Sequence, residues 1–202
     1  MHMEKALIWS SWIAAAYLVG AIPFGYLIGR LRGVDVRTVG SKNIGATNVY
    51  RTVGKKWGFL AFFCDFMKGF VPSFAAMAYA KRTGLDLNLA VYVGLACVIG
   101  HTLTVFMKFK GGKGVATAFG MMMALAPLPA ALAFAVFVVT VWRSHYISLG
   151  SMLAAVTLAV AMWFLSPLLA LRIIATLLAA FVIYKHKSNI QRLMNGCENR
   201  IY

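Results

Sequence analysis

Long apolar runs, almost free of charge, recur from one end of this 202-residue chain to the other, and they limit what it can become. A helix crossing roughly 30 Å of hydrocarbon needs about 20 apolar residues. Residues 6–28, 57–80, 87–107, 146–165 and 167–184 each read as such a helix. Residues 115–142 are too long for one ordinary span and contain Pro127 and Pro129, which break helices. They read either as one kinked span or as two short ones, 115–126 and 129–142.

Composition removes the soluble alternatives. The chain is 61% hydrophobic and 12% charged, against roughly 45–50% and about 25% for globular chains. So few polar side chains cannot cover a water-exposed surface, and lipid must solvate the protein. Disorder, a secreted disulfide scaffold and a soluble Rossmann enzyme are excluded. Cys64, Cys97 and Cys197 are far apart with no C-x-x-C spacing, so they imply neither a metal site nor a disulfide framework.

Twenty Lys+Arg stand against five Asp+Glu, a net charge of +15. In a membrane protein this excess marks a cytoplasmic face that handles anions rather than nucleic acid. It also decides between the two readings of residues 115–142. With seven crossings, fifteen Lys and Arg fall on one side and four on the other, with Lys68 inside a span. With six, the split is eleven against eight. The positive-inside rule favours seven. The sequence therefore predicts an all-α polytopic membrane protein: a single domain over residues 1–202 with seven transmembrane helices. The N-terminus lies outside, the C-terminus in the cytoplasm, and the polar loops on the cytoplasmic face.

Within the spans, Gly25-x-x-x-Gly29 would let another helix approach closely. Asp65 and Lys68, three residues apart in the second span, can neutralise each other on one helix face. Charges at that depth are costly and are either structurally paired or functional.

Three polar stretches on the basic side hold nearly all the remaining chemistry. The first, residues 40–51, alternates Gly40, Ser41, Asn43, Gly45, Thr47 and Asn48 with the cations Lys42 and Arg51. Its amides and hydroxyls can donate to an oxyanion, and Arg51 can grip a phosphate with two parallel bonds. A plain turn-rich loop uses the same residues. The second, Lys108-Phe109-Lys110-Gly111-Gly112-Lys113-Gly114, runs into an apolar helix. Free N–H groups, the helix dipole and three lysines would form an anion cradle there. It is neither a Walker A loop nor a dinucleotide fingerprint. The third is the tail, where His186, Asn189 and Arg192 recur at three-residue spacing on a short basic helix. A surface-lying amphipathic anchor would read the same way. Arg143, His145 and Ser148 add a small polar cluster at a helix junction. Basic loops over a greasy interior suit an amphiphilic substrate, with its acyl chain in the bilayer and its phosphate at the loops.

Three motifs in order resemble those of the bacterial acyl-phosphate:glycerol-3-phosphate acyltransferases, the PlsY family. They are S-x-N-x-G-A-T-N-x-x-R from Ser41 to Arg51, K-F-K-G-G-K-G-V-A-T from Lys108 to Thr117, and H-x-x-N-I-x-R-L from His186 to Leu193, with Gly196 and Glu198 following. The chain departs from the family pattern twice. Ser41-Lys42-Asn43-Ile44-Gly45 stands where the family usually has S-G-N-P-G. Gly100-His101-Thr102-Leu103-Thr104 stands in place of G-H-x-F-P, which removes a proline kink. No histidine is followed by the H-x-x-x-x-D pattern of acyl-CoA and acyl-carrier-protein dependent enzymes.

The resemblance implies transfer of a fatty acyl group from acyl phosphate to the 1-hydroxyl of glycerol 3-phosphate in the bacterial inner membrane, giving lysophosphatidic acid and phosphate. It implies no cofactor and no metal, with membrane lipid and a soluble acyl-phosphate-producing enzyme as partners. On this reading Ser41, Thr47, Asn48, Arg51 and Lys110 hold the acyl phosphate and polarise its carbonyl, with Asn43 and Gly45 in the same substrate-binding loop. Gly111, Gly112, Lys113 and Gly114 cradle glycerol 3-phosphate. His186 and Asn189 orient the attacking hydroxyl, supported by Ser148. Either His186 or a substrate phosphate accepts the proton. Two readings from other classes are a transporter of phosphorylated solutes and a non-catalytic membrane anchor.

Overall fold

The computed structural model describes residues 2–201, and among them every regular element is helical. In chain order these are α1 (His2–Ala21), α2 (Phe24–Leu31), α3 (Ala46–Thr52), α4 (Lys55–Thr83), α5 (Asn88–Thr102), α6 (Val115–Leu125), α7 (Pro127–Ser144), α8 (Ile147–Leu165), α9 (Leu169–Lys185) and α10 (Lys187–Met194). A single 3-10 turn covers Val105–Met107. The helices group into two compact units, residues 1–125 and 126–202.

Helices stand where the apolar runs are, with one departure. The first run is broken after Ala21, because Pro23 brings no N–H and its ring crowds the preceding turn. Residues 115–142 form two helices, broken at Ala126, with Pro127 opening α7 at a position where its missing N–H costs nothing. Among the described residues, five helical segments are long and apolar enough to cross a membrane, or six if α9 and α10, bent by 56°, form one. Helix α6 has 11 residues, about 16 Å at 1.5 Å per residue.

In the first unit two crossings rest on paired glycines. A Cβ on Gly20 of α1 would strike the Cys97 carbonyl, and one on Gly100 of α5 the Tyr17 carbonyl. Gly69 of α4 faces the Thr117 carbonyl in the same way, and Gly120 of α6 faces that of Phe66. Without a hydrophobic drive between helices in lipid, such backbone-to-backbone approach is what holds them together. The Gly25-x-x-x-Gly29 pair does something else. Gly25 admits the Ile44 carbonyl and Gly29 admits Val36, so the first polar loop, not a helix, lies in that notch.

The break after α1 leaves main-chain carbonyls at membrane depth, and side chains take them up. Thr104 Oγ1 donates to Ala21 O at 2.6 Å, and Lys68 Nζ donates to Ile22 O at 2.8 Å. Lys68 also pairs with Asp65 at 2.7 Å, both side chains being buried. The two neutralise each other as their spacing suggested. Breaking a buried pair of this kind costs about 3–5 kcal/mol.

The second unit packs α7 on α8 and α8 on α9. Gly150 of α8 meets Val141 and Phe137 of α7. Trp163 Nε1 on α8 donates to Thr176 Oγ1 on α9 at 3.0 Å.

Candidate active site

The first polar loop, between α2 and α3, is built around one carboxamide. Asn48, in the first turn of α3, is 1% exposed. Its Nδ2 donates to the carbonyls of Val36 at 2.8 Å, Asn43 at 2.9 Å and Val39 at 3.2 Å. Its Oδ1 accepts the Ser41 N–H at 2.9 Å. Asn43 Oδ1 accepts the Gly45 N–H at 2.8 Å, closing a tight turn before the helix. Asn48 and Asn43 therefore shape the loop, while Ser41 is exposed on it and Thr47 and Arg51 are half-buried on α3.

Lys42 has φ +56°, the left-handed region that costs a residue with a Cβ roughly 1–2 kcal/mol. A glycine would adopt this shape freely. Beneath the loop, Ile28, Val36, Ile44, Val49 and Ala61 form a small core. Met107, just ahead of the second motif, packs on it, so the two motifs of the first unit share one foundation. The loop's carboxylate, Asp35, is bound by Arg37 at 2.7 Å. That side-chain hydrogen bond, with the Arg37 backbone N–H, holds its carboxyl down to about 2.

The second motif reverses the chain. Lys108 and Phe109 both have positive φ, and the chain then runs back against the end of α5. Gly111 N–H donates to Thr102 O and Gly112 N–H to His101 O, both at 3.1 Å. These amides cap the carbonyls at the α5 terminus, which ends at Thr102 although the expected proline is a threonine. The Gly111 and Gly112 amides are therefore not among the free N–H groups expected at this motif. Their lack of a Cβ serves close approach: a Cβ on Gly111 would strike His101 O, and one on Gly112 would strike His101 Nε2. Gly114 has φ +81° and leads into α6, whose first-turn amides have no acceptor within the helix. Those amides, with Lys110 and Lys113, are what the motif can turn toward an anion. Beside it, Ile22, Pro23, Tyr26, Leu27, Phe106 and Met107 line an apolar recess of about 320 Å³.

In the second unit the hub is a residue to which the motifs alone assign no role. Glu198 is 7% exposed and accepts from Ser148 Oγ at 2.9 Å and Asn189 Nδ2 at 2.7 Å on Oε1. Its Oε2 accepts from Arg192 Nε at 2.7 Å. Burial pushes its carboxyl up, but the hydrogen bonds from Asn189, Arg192 and Ser148 outweigh burial and hold it below the ordinary glutamate range. The tail folds back further, with Ile201 N–H donating to His145 O at 2.9 Å. The polar side of α10 is thus a hydrogen-bonded cluster. His186 occupies the bend between α9 and α10, and its Nδ1 lies 2.7 Å from Val182 O. A neutral imidazole donating there from Nδ1 presents Nε2 as the acceptor, the form a base requires.

Among the described residues no group of three or more His, Cys, Asp or Glu is placed to hold a metal ion. A carboxylate that organises Ser148 and Asn189 had two sequence signals, its place just after the third motif and its rarity: five acidic residues in the whole chain.

The model of the family described as glycerol-3-phosphate acyltransferase matches residues 10–196. A glycerol-3-phosphate acyltransferase of Trichlorobacter lovleyi is 50% identical over 94% of this chain and 95% of its own. Two crystal structures of PlsY (YgiH), an integral membrane glycerol 3-phosphate acyltransferase, are similar across 95% of this chain and 94% of theirs. The glycerol 3-phosphate form has TM-score 0.89 at 42% identity, and the lysophosphatidic acid form 0.86 at 41%. With nearly its whole length matched, the chain belongs to the glycerol-3-phosphate acyltransferase family.

Proposed function

We propose that this protein transfers a fatty acyl group from acyl phosphate to the 1-hydroxyl of sn-glycerol 3-phosphate. The glycerol oxygen bonds to the acyl carbon, the acyl–phosphate bond breaks, and lysophosphatidic acid and inorganic phosphate leave. The observation that carries this reading is the likeness to one enzyme solved in both a glycerol 3-phosphate form and a lysophosphatidic acid form. Acyl phosphate as donor is supported by the loops themselves. They hold many cations and two carboxylates, Asp35 and Glu198, each already paired with an arginine, which suits two phosphates that would otherwise repel each other.

An acyl phosphate is already activated, so what the protein must supply is mainly alignment and oxyanion stabilisation. Ser41, Thr47, Arg51 and Lys110 hold the donor phosphate and polarise its carbonyl, in a loop whose shape Asn43, Gly45 and Asn48 set. Gly111, Gly112, Lys113 and Gly114 cradle glycerol 3-phosphate, the first two by allowing close approach and the others by charge and helix-terminal amides. His186 and Asn189 orient the attacking hydroxyl, with Ser148 in support. The apolar recess by Met107 takes part of the acyl tail. The chain acts as one domain of seven spans in the bacterial inner membrane, with its polar loops cytoplasmic, and a soluble enzyme supplies the acyl phosphate.

Phosphate release from palmitoyl phosphate tests the reaction: it must depend on added glycerol 3-phosphate. Release without acceptor, at the same rate, would mean a hydrolase. His186→Gln separates the two candidate bases. Loss of most of kcat assigns the proton to His186, whereas a retained kcat across pH assigns it to a substrate phosphate.

A further inference from the structure

We propose that Asp65 is a positioning residue for the glycerol 3-phosphate subsite, acting through His101 on Gly112; this rests on the acyltransferase reading above. Three ionisable side chains, Asp65, Lys68 and His101, lie inside the first unit at 2%, 4% and 5% exposure. Lys68 on α4 has two partners, Asp65 Oδ1 at 2.7 Å and the Ile22 carbonyl at the broken first span at 2.8 Å. Asp65 Oδ1 also faces His101 Nδ1 on α5 at 3.5 Å. A carboxylate beside one imidazole nitrogen sets the direction of the other, as it does for metal-bound and catalytic histidines.

Here the other nitrogen, Nε2, lies against Gly112, where a Cβ would strike it. The same histidine holds Gly112 from the main chain, its carbonyl accepting the Gly112 N–H at 3.1 Å. Gly112 thus meets both the ring and the backbone of one residue, and Asp65 faces that ring's other nitrogen from within the span. The Lys68–Asp65 pair alone would neutralise the charge and satisfy the Ile22 carbonyl. Its contact with a histidine that ends on the second motif links the span to the cradle. A third buried ionisable group adds cost at this depth unless it serves the site.

The test uses the full-length protein in lipid, with palmitoyl phosphate and sn-glycerol 3-phosphate as substrates. Asp65→Asn and His101→Asn each raise KM for glycerol 3-phosphate about tenfold and leave KM for palmitoyl phosphate within about twofold. Because one residue acts through the other, the double variant is no worse than either single one. An unchanged glycerol 3-phosphate KM in His101→Asn, equal rises for both substrates, or single effects that multiply in the double variant would each overturn the proposal. His101→Asn keeps the Lys68–Asp65 pair, so an unchanged glycerol 3-phosphate KM in it overturns the proposal even where Asp65→Asn does not fold. Calorimetric binding of glycerol 3-phosphate to the same proteins separates this inference from the donor assignment. Weaker binding in the variants upholds it even if palmitoyl phosphate proves not to be the donor, and equal binding, or none in the unaltered protein, overturns it.

Discussion

Asn189 Nδ2 donates to Glu198 Oε1 at 2.7 Å, and that one oxygen also receives the Ser148 hydroxyl from α8. A carboxylate in the tail therefore fixes two of the side chains assigned to the acceptor hydroxyl, and Arg192 neutralises it. Glu198→Gln would set an amide against the Arg192 guanidinium and cost about 2 kcal/mol, the scale of a charge-assisted hydrogen bond.

The pH dependence follows with a definite sign. Folding holds the Glu198 carboxyl below its ordinary 4.5, so its contribution is full above that value and is lost as pH falls through the folded-state value. Melting midpoints measured from neutral pH downward should fall more steeply on the acid side for the unaltered protein than for Glu198→Gln. Parallel curves would contradict this.

Lys42→Gly relieves a left-handed residue at φ +56°. After the greater backbone freedom of an unfolded glycine is subtracted, the net gain is about 0.5–1 kcal/mol. The melting midpoint should rise. KM for palmitoyl phosphate should rise about twofold with it, as the loop loses a cation. A lower midpoint would mean that the lysine side chain supports the loop.

Gly112→Ala places a methyl group on His101 Nε2. The ring is buried and faces Asp65 on its other side, so the turn must yield, and KM for glycerol 3-phosphate should rise about tenfold, more than kcat falls. An unaltered KM would remove Gly112 from the cradle.

The topology has its own test. With seven spans, a reporter fused after Pro127 lies outside the cytoplasm. A cytoplasmic signal there would leave six spans and place the tail with its His186 on the other face.

Helix positions were legible from hydropathy because a membrane demands long apolar runs, and the break at residues 126–127 from its prolines. The three motifs were legible as residue types, but not as wiring. Composition treats Asn48 and Gly112 as ligand donors. The structure shows Asn48 bonded to its own loop and the Gly112 amide capping α5. Such partners lie across turns or on other helices, and periodicity carries no record of them. The notch at Gly25 failed for the same reason: a glycine pair announces close approach, not what approaches. Glu198 belongs to the same class, since its three partners come from residues as far away as Ser148.

The most direct measurement supplies labelled sn-glycerol 3-phosphate to the purified protein in lipid, with EDTA present. Palmitoyl phosphate, palmitoyl-CoA and palmitoyl-carrier protein are offered in parallel as donors. Labelled lysophosphatidic acid from palmitoyl phosphate alone is the predicted result. Product from either thioester, or none from any donor, would contradict it.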